Sequence, residues 1–439
     1  MITQERLFLG GTWIRPSHPD LLPVVSPHDR TVLGLVAQAL PAEIDQAVVT
    51  ARAAFDEGPW PGTPRAARLA VLRRVDGLRS VLADEMARLE SAESGVPLRF
   101  TRTRLALMDD PGPDAHRIPV GVVAAIGASP RRLAEILAAG NTAVLLVAPE
   151  RALSMNRLAG MLTEAGVPEG VVSILPSAAH EALIRPGGVV SASSPVDHDA
   201  LIRHPGVDMV AFRGTAPAAR RVAALAGEHL KRVTLDLHRM PTAILLPDAD
   251  LTEVAPGLRA LGTRVLAPSS RYDEVVDALA GMVSSLPVGD PLDDRTVVGP
   301  LARPDQQQRV LDQIRLGSGE GARLITGGTR IPYGLEAGNY VTPTLFAGVD
   351  PWMRVAHEDI DGPVLTVIAY PDEAHATRHG SSGSAGSNGS AGSNGSVWSK
   401  DAEHAREVAG HLHWDTVSIN AAPEVPATPD FTLPQSIHS

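Results

Sequence analysis

Apolar positions in the first half of the chain recur with two periods. From Pro41 onward, Ile44, Ala47, Val48, Ala51 and Phe55 fall at helical spacing and predict one amphipathic helix. A second helical pattern opens at Thr63-Pro64, a capping residue followed by a first-turn proline. It carries Leu69, Leu72, Val75, Leu82, Met86 and Leu89 on one face and runs to Gly95. Apolar runs too short for helices follow at 120–126, 142–148, 170–175, 207–212 and 233–237. Such runs, spaced by helix-length segments, predict crossover units on a parallel sheet. A second α/β region extends from about Asp250 to Ser418.

Two stretches break the pattern. HEALIRPGGVV at 180–190 is echoed by HDALIRHPGVDMV at 198–210, which reads as a surface insertion between a helix and a strand. Residues 380–396 are drawn only from Gly, Ser, Ala and Asn, with the hexad GSAGSN in tandem. With no side chain larger than alanine to bury, this segment is expected to be a flexible loop, natural or engineered.

Composition narrows the chemistry. The chain has 439 residues, with 50 acidic against 39 basic side chains and a net charge of −11. That length implies two or three domains, and that charge argues against capture of nucleic acid or anionic lipid. No apolar run approaches the roughly 20 residues of a membrane span, so a cytoplasmic protein is expected. There is no cysteine at all. Disulfides, thiolate metal sites and a cysteine nucleophile are thereby excluded, and no metal is expected.

A series of collinear motifs then carries a resemblance. LFLGGTW (7–13), VGDPLD (288–293), VGPL (298–301), EGARLITGG (320–328), YVTPTLF (340–346), EDIDGPVL (358–365), SVWSKD (396–401) and VSIN (417–420) appear in this order. Together they resemble the NAD(P)-dependent aldehyde dehydrogenase superfamily from near Leu7 to near the C-terminus. The resemblance implies an α/β fold with a Rossmann-like coenzyme domain (1–235), its β extension shortened near 105–120. It further implies an α/β catalytic domain (236–418) containing the loop 380–396, and a small C-terminal oligomerisation element (419–439). The family's chemistry uses a cysteine thiolate, an asparagine that stabilises the oxyanion, and a glutamate that activates water.

Each of these is altered in this chain. Aligned on Thr263-Arg264, the nucleophile position falls on Arg259; aligned on DADL at 248–251, the nucleophile segment is deleted. Thr263 and Ser269 are near it in sequence only. The glutamate position falls on Asp236, whose carboxylate sits about 1.5 Å further back. The glycines that follow it are replaced by His238 and Arg239. The strand that leads to the oxyanion asparagine runs instead into ASPRR at 128–132, and Asn141 belongs to a later AGNT turn. The lysine of the K-P-A-E motif is Val147, with Glu150 retained. The pyrophosphate loop keeps Gly214 and Thr215 but has Ala219 at its second glycine. The acid that grips the nicotinamide ribose corresponds to Asp359, followed by Asp361 in place of an aromatic.

These losses predict that aldehyde oxidation is gone and that no cofactor is retained, NAD(P) being what the resemblance would supply. The expected role is a pseudoenzyme: a subunit, a scaffold or a ligand-binding protein in homo- or hetero-oligomers, with a small molecule in the vestigial cleft. Two alternatives stay open. A repurposed enzyme would use Asp236, His238, Arg239 and Arg259 for cyclisation, hydrolysis or isomerisation, and a residual oxidoreductase would still act on an aldehyde with NAD(P).

Overall fold

A computed structural model describes residues 1–104, 117–178, 198–237, 240–258, 262–381, 394–414, 416–422 and 431–434. Two seven-stranded sheets organise them. The first contains β1 (Leu7–Leu9), β2 (Thr12–Ile14), β3 (Val122–Ile126), β4 (Thr142–Val147), β5 (Val172–Pro176), β6 (Met209–Gly214) and β7 (Arg232–Leu237). Its order is β7-β6-β3-β4-β5-β1-β2, parallel from β7 to β5 and closed by the antiparallel β1–β2 hairpin. Every residue of β3, β4 and β5 is buried. Helices cover both faces of such a sheet, so its strands read as unbroken apolar runs.

The helices on this sheet include α1 (Pro41–Asp56), α2 (Arg65–Val81), α3 (Ala83–Ser94), α4 (Pro130–Ala138), α5 (Ala152–Glu164) and α6 (Ala216–Glu228). The continuous helix expected from 63 to 95 is two helices. Leu82 takes φ −105, ψ 21, and its N–H is shared between the carbonyls of Leu78 and Arg79. The chain then restarts with Asp84 and Glu85 in the first turn, where the helix dipole favours acids. Thr63 does not cap α2: its hydroxyl donates to the Pro59 carbonyl at 2.8 Å, and Pro64 is the N-cap.

The second sheet contains β8 (Thr242–Leu245), β9 (Thr263–Pro268), β10 (Arg323–Thr326), β11 (Thr344–Ala347), β12 (Val364–Tyr370), β13 (Asn394–Trp398) and β14 (Thr416–Ile419). Their order is β10-β11-β12-β9-β8-β13-β14, with only β10 antiparallel to its neighbour. The Gly/Ser-rich stretch 380–396 is not coil at its ends. Gly380 lies in the helix Glu373–Ser381, and Asn394–Ser396 form the start of β13, paired on both sides. Glycine is required there, because a Cβ on Gly395 would meet the Trp414 ring at 2.3 Å and the Thr242 carbonyl at 2.4 Å. Residues 382–393, and the repeat segment 180–190, lie outside the described residues.

A two-stranded antiparallel sheet joins Arg117–Pro119 to Thr432–Pro434. Asn141 secures it from within the core. Its Oδ1 accepts the Val120 and Gly121 N–H groups at 2.7 and 3.0 Å, and its Nδ2 donates to the Ile136 and Phe431 carbonyls at 3.2 and 3.0 Å. Asn141 is therefore a structural clamp, as its place in the AGNT turn suggested. No described helix is long and apolar enough to cross a membrane. Asn141→Ala leaves the buried Gly121 N–H and the half-buried Val120 N–H without an acceptor and is expected to cost about 2–4 kcal/mol, read as a lowered midpoint in denaturant unfolding.

Candidate functional site

In an open parallel sheet, ligands settle beyond the carboxyl ends of the strands where the strand order reverses. Here that point lies between β3 and β6. A cleft of about 560 Å³ opens there. Its floor includes Gly127 and Ala128 after β3, Val147 and Ala148 at the end of β4, and Gly214 and Thr215 after β6. The segments 94–97 and 297–303, which abut each other, form adjoining walls, the latter from the second α/β unit.

Beside the cleft, at a spot that shares Ala128 and Arg213 with it, charged side chains cluster. Asp236, next to last in β7, has Oδ2 at 3.4 Å from Arg132 Nη2 and 3.7 Å from Arg213 Nη1. Arg132 also donates to Glu135 at 2.6 Å, and its guanidinium lies over the Phe431 ring, 5.7 Å from the centroid. A small cavity beside this cluster is lined by Ala128, Arg132, Phe212, Arg213, Thr234 and Asp236. A general base needs a lone pair aimed at the proton it removes. In this arrangement Asp236 Oδ2 is engaged by guanidinium groups. His238, Arg239 and Arg259 lie outside the described residues. Thr263 is buried in the first position of β9, and the Ser269 hydroxyl donates to the Tyr370 carbonyl at 2.8 Å; neither lines the cleft.

The expected cofactor contacts divide into two groups. Glu150, in the short turn Pro149–Arg151, accepts a hydrogen bond from Arg303 at 2.9 Å, with both side chains about 15% exposed or less. Arg303 precedes helix α7 (Pro304–Gly319) and also binds Asp305 at 3.0 Å. Burial opposes its charge, but the two carboxylates outweigh that effect and hold its pKa above the ordinary arginine value. Val147, in the lysine position, is buried and offers no donor. Asp359 Oδ1 accepts the Met240 N–H at 3.1 Å and acts on the buried Arg264, which burial pulls down to about 10; Asp359 is not part of the cleft wall, whereas Asp361 is.

The end near α6 is more receptive. Thr215 is the N-cap and its side chain does not cap the helix, so first-turn N–H groups are left to other acceptors. Gly214 cannot be replaced without movement, since a Cβ there would meet the Phe212 ring at 2.6 Å. At the other end of the cleft the Glu150 carboxylate is tied to Arg303. Among the described residues, no group of three or more metal-binding side chains is assembled.

Sequence reasoning missed the arginines. Arg132, Arg213 and Arg303 now set the electrostatics of the site, and their partners lie 104, 23 and 153 positions away. No local pattern announces such pairs. Arg303→Met leaves the Glu150 carboxylate without its cation. A loss on the order of 1–3 kcal/mol is expected, below the fully buried figure because both side chains keep some contact with water, and measurable by chemical denaturation at low and high salt.

The sequence matches the profile described as the aldehyde dehydrogenase family over residues 13–110 and 113–432. It is 34% identical to a geranial dehydrogenase of Castellaniella defragrans, covering 95% of this chain and 91% of that protein. A 3-succinoylsemialdehyde-pyridine dehydrogenase of a Pseudomonas species is 32% identical, covering 98% of this chain and 92% of that protein. Among solved structures, an aldehyde dehydrogenase of Mycobacterium tuberculosis complexed with NAD+ superposes with a TM-score of 0.82 at 33% identity, covering 96% of this chain and 91% of that one. A mutant enzyme of Pseudomonas syringae complexed with NAD+ and octanal gives 0.82 at 31% identity, covering 98% and 92%. Two of these relatives hold NAD+, so the expectation that no cofactor is retained finds no support among them. The chain belongs to the aldehyde dehydrogenase family.

Proposed function

We propose that this chain is a member of the family that no longer oxidises aldehydes and instead binds a nucleotide-type anion in the retained cleft. The observation that carries this reading is the absence of any cysteine in 439 residues. It is reinforced by the Asp236 carboxylate, which faces Arg132 and Arg213 where the family's water-activating acid would stand. Hydride loss from an aldehyde requires a nucleophile that adds to the carbonyl first, and sulfur is the atom best suited to it. A serine or threonine would need an adjacent base within the cleft, and neither Thr263 nor Ser269 lines it.

NAD(P) remains the natural ligand to test. When bound, its nicotinamide supplies hydride-accepting chemistry. What this chain contributes is placement: Gly214 allows close backbone approach, Thr215 and the start of α6 receive an anion, and Arg213 lies beside them. The Glu150–Arg303 pair replaces the donor and free acid that would otherwise take the ribose, which predicts weaker binding than in the NAD+-bound relatives. Association through the tail strand Thr432–Pro434 is part of the same reading, because among the described residues it pairs on one edge alone, with Arg117–Pro119, and a second edge can take a partner strand.

The repurposed-enzyme reading draws on the convergence of Asp236, Arg132 and Arg213 on one small cavity. It is the weaker of the two, because both arginines pair with Asp236, the one carboxylate lining that cavity among the described residues.

Two measurements decide. Octanal or geranial with NAD+ or NADP+ is expected to yield no reduced nicotinamide above a buffer blank. Calorimetry is expected to show saturable binding of NAD+ or NADP+ to the unmodified chain. Turnover would overturn the loss of oxidation, and absence of binding by any nucleotide would overturn the ligand-binding role.

A further inference from the structure

Glu93 lies in the last turn of α3 and is fully buried. Nothing in the cleft chemistry uses it. Its Oε2 accepts the Leu153 N–H at 2.9 Å and its Oε1 the Ser154 N–H at 3.0 Å, both in the first turn of α5. First-turn N–H groups lack partners within their own helix, so this carboxyl caps α5 from a distant element. Immediately before α5 stand Glu150 and Arg151, which line the cleft. Immediately after Glu93 comes the opposite contact. Gly95 takes φ +79, where a Cβ would lie 2.4 Å from the Pro300 carbonyl, and a Cβ on Gly299 would lie 2.0 Å from the Gly95 carbonyl. Leu98 N–H then donates to the Pro291 carbonyl at 2.8 Å. One carboxyl thus joins the Glu150–Arg151 turn to the segment that abuts the adjoining wall.

We propose that Glu93 is a positioning residue whose carboxyl, by capping the start of α5, holds the wall 94–97 against the Glu150–Arg151 turn and so controls ligand binding in the cleft. This rests on the ligand-binding reading above.

The charges around Glu93 are accounted for element by element. Arg151 faces it from the turn before α5 and is shared with Glu90 at 3.4 Å. On α5, Arg157 is held by Glu85 at 3.0 Å; on α2, Arg79 stands 4.0 Å from Asp76. On the segment after Gly95, Arg102 is bound by Asp84 and Asp294, and Arg99 lies over the Phe100 ring. Burial pushes the Glu93 carboxyl up to about 8, against hydrogen bonds from Ser154 and Leu153 and the charge of Arg151, which pull it down.

The sign follows from linkage. With the joint open, the carboxyl returns to its ordinary value of 4.5; with it closed, it titrates near 8. Opening therefore releases a proton between these values. The closed joint is most favoured below the lower one, and opening rises by up to about tenfold per pH unit until it levels off above the higher.

Hydrogen exchange of the peptides covering 94–101, 151–156 and 297–303 in the full chain, from about pH 5 to 9.5, reads this opening directly. After correction for intrinsic rates, the wild-type profile is expected to climb and then level near pH 8, while Glu93→Gln removes that dependence. NAD+ binding isotherms at the same pH values are expected to weaken along the same curve. Identical profiles in the two proteins would overturn the proposal. The exchange is measured without nucleotide, so a wild type that binds no NAD+ refutes the ligand-binding reading alone, and the exchange profile still decides on Glu93. If Glu93→Gln does not fold, Arg151→Gln serves instead: removing the facing cation is expected to move the break to higher pH, and a break that stays in place would overturn the proposal.

Discussion

Two backbones touch where Gly95 meets Gly299 and Pro300, closely enough that no side chain fits on either glycine. That contact fixes how the two α/β units face one another. Everything said of the cleft depends on it, because the floor belongs to the first sheet and the adjoining wall to the second unit. Bulkier residues would force the walls apart by more than an ångström, a displacement large compared with the tolerance of a hydrogen bond. The approach is held from one side by the Glu93 carboxyl and from the other by the bond from Leu98 to Pro291. Neither anchor lies in the cleft itself.

Ion pairs occupy this part of the scaffold: Asp236 with Arg132 and Arg213 at the small cavity, and Glu150 with Arg303 on the cleft. Such pairs contribute little net stability when partly solvated. Their larger effect is on what the cleft can accept. A cation already matched to a carboxylate attracts a phosphate less than an unmatched one does, so geometry and helix N–H groups must carry more of the recognition.

Much of the fold was legible because burial on both faces writes itself into sequence. VVAAI and TAVLLV have no polar alternation, and they became the two central strands β3 and β4. The break at Leu82 was not legible, since the apolar stripe continues across it through Met86 and the turn is made by the φ and ψ of Leu82. The start of β13 was hidden for a different reason: Asn394-Gly395-Ser396 looks like linker, and its strand character comes from Trp414 and Thr242 packing against it. At the site, loss of the thiol was visible in composition. The ionic replacements were not, because they join residues that sequence keeps far apart. Three of the four proposed repurposed residues, His238, Arg239 and Arg259, fall outside the described residues, so only Asp236 has a place in this account.

Asn141 and Arg132 both engage Phe431, one through its carbonyl and the other through its ring. The last described strand begins one residue later. One residue thus ties the core clamp at Asn141 to the ion-pair cluster at Asp236, and a smaller side chain at 431 would withdraw the ring beneath the Arg132 guanidinium while leaving the backbone bond to Asn141 in place.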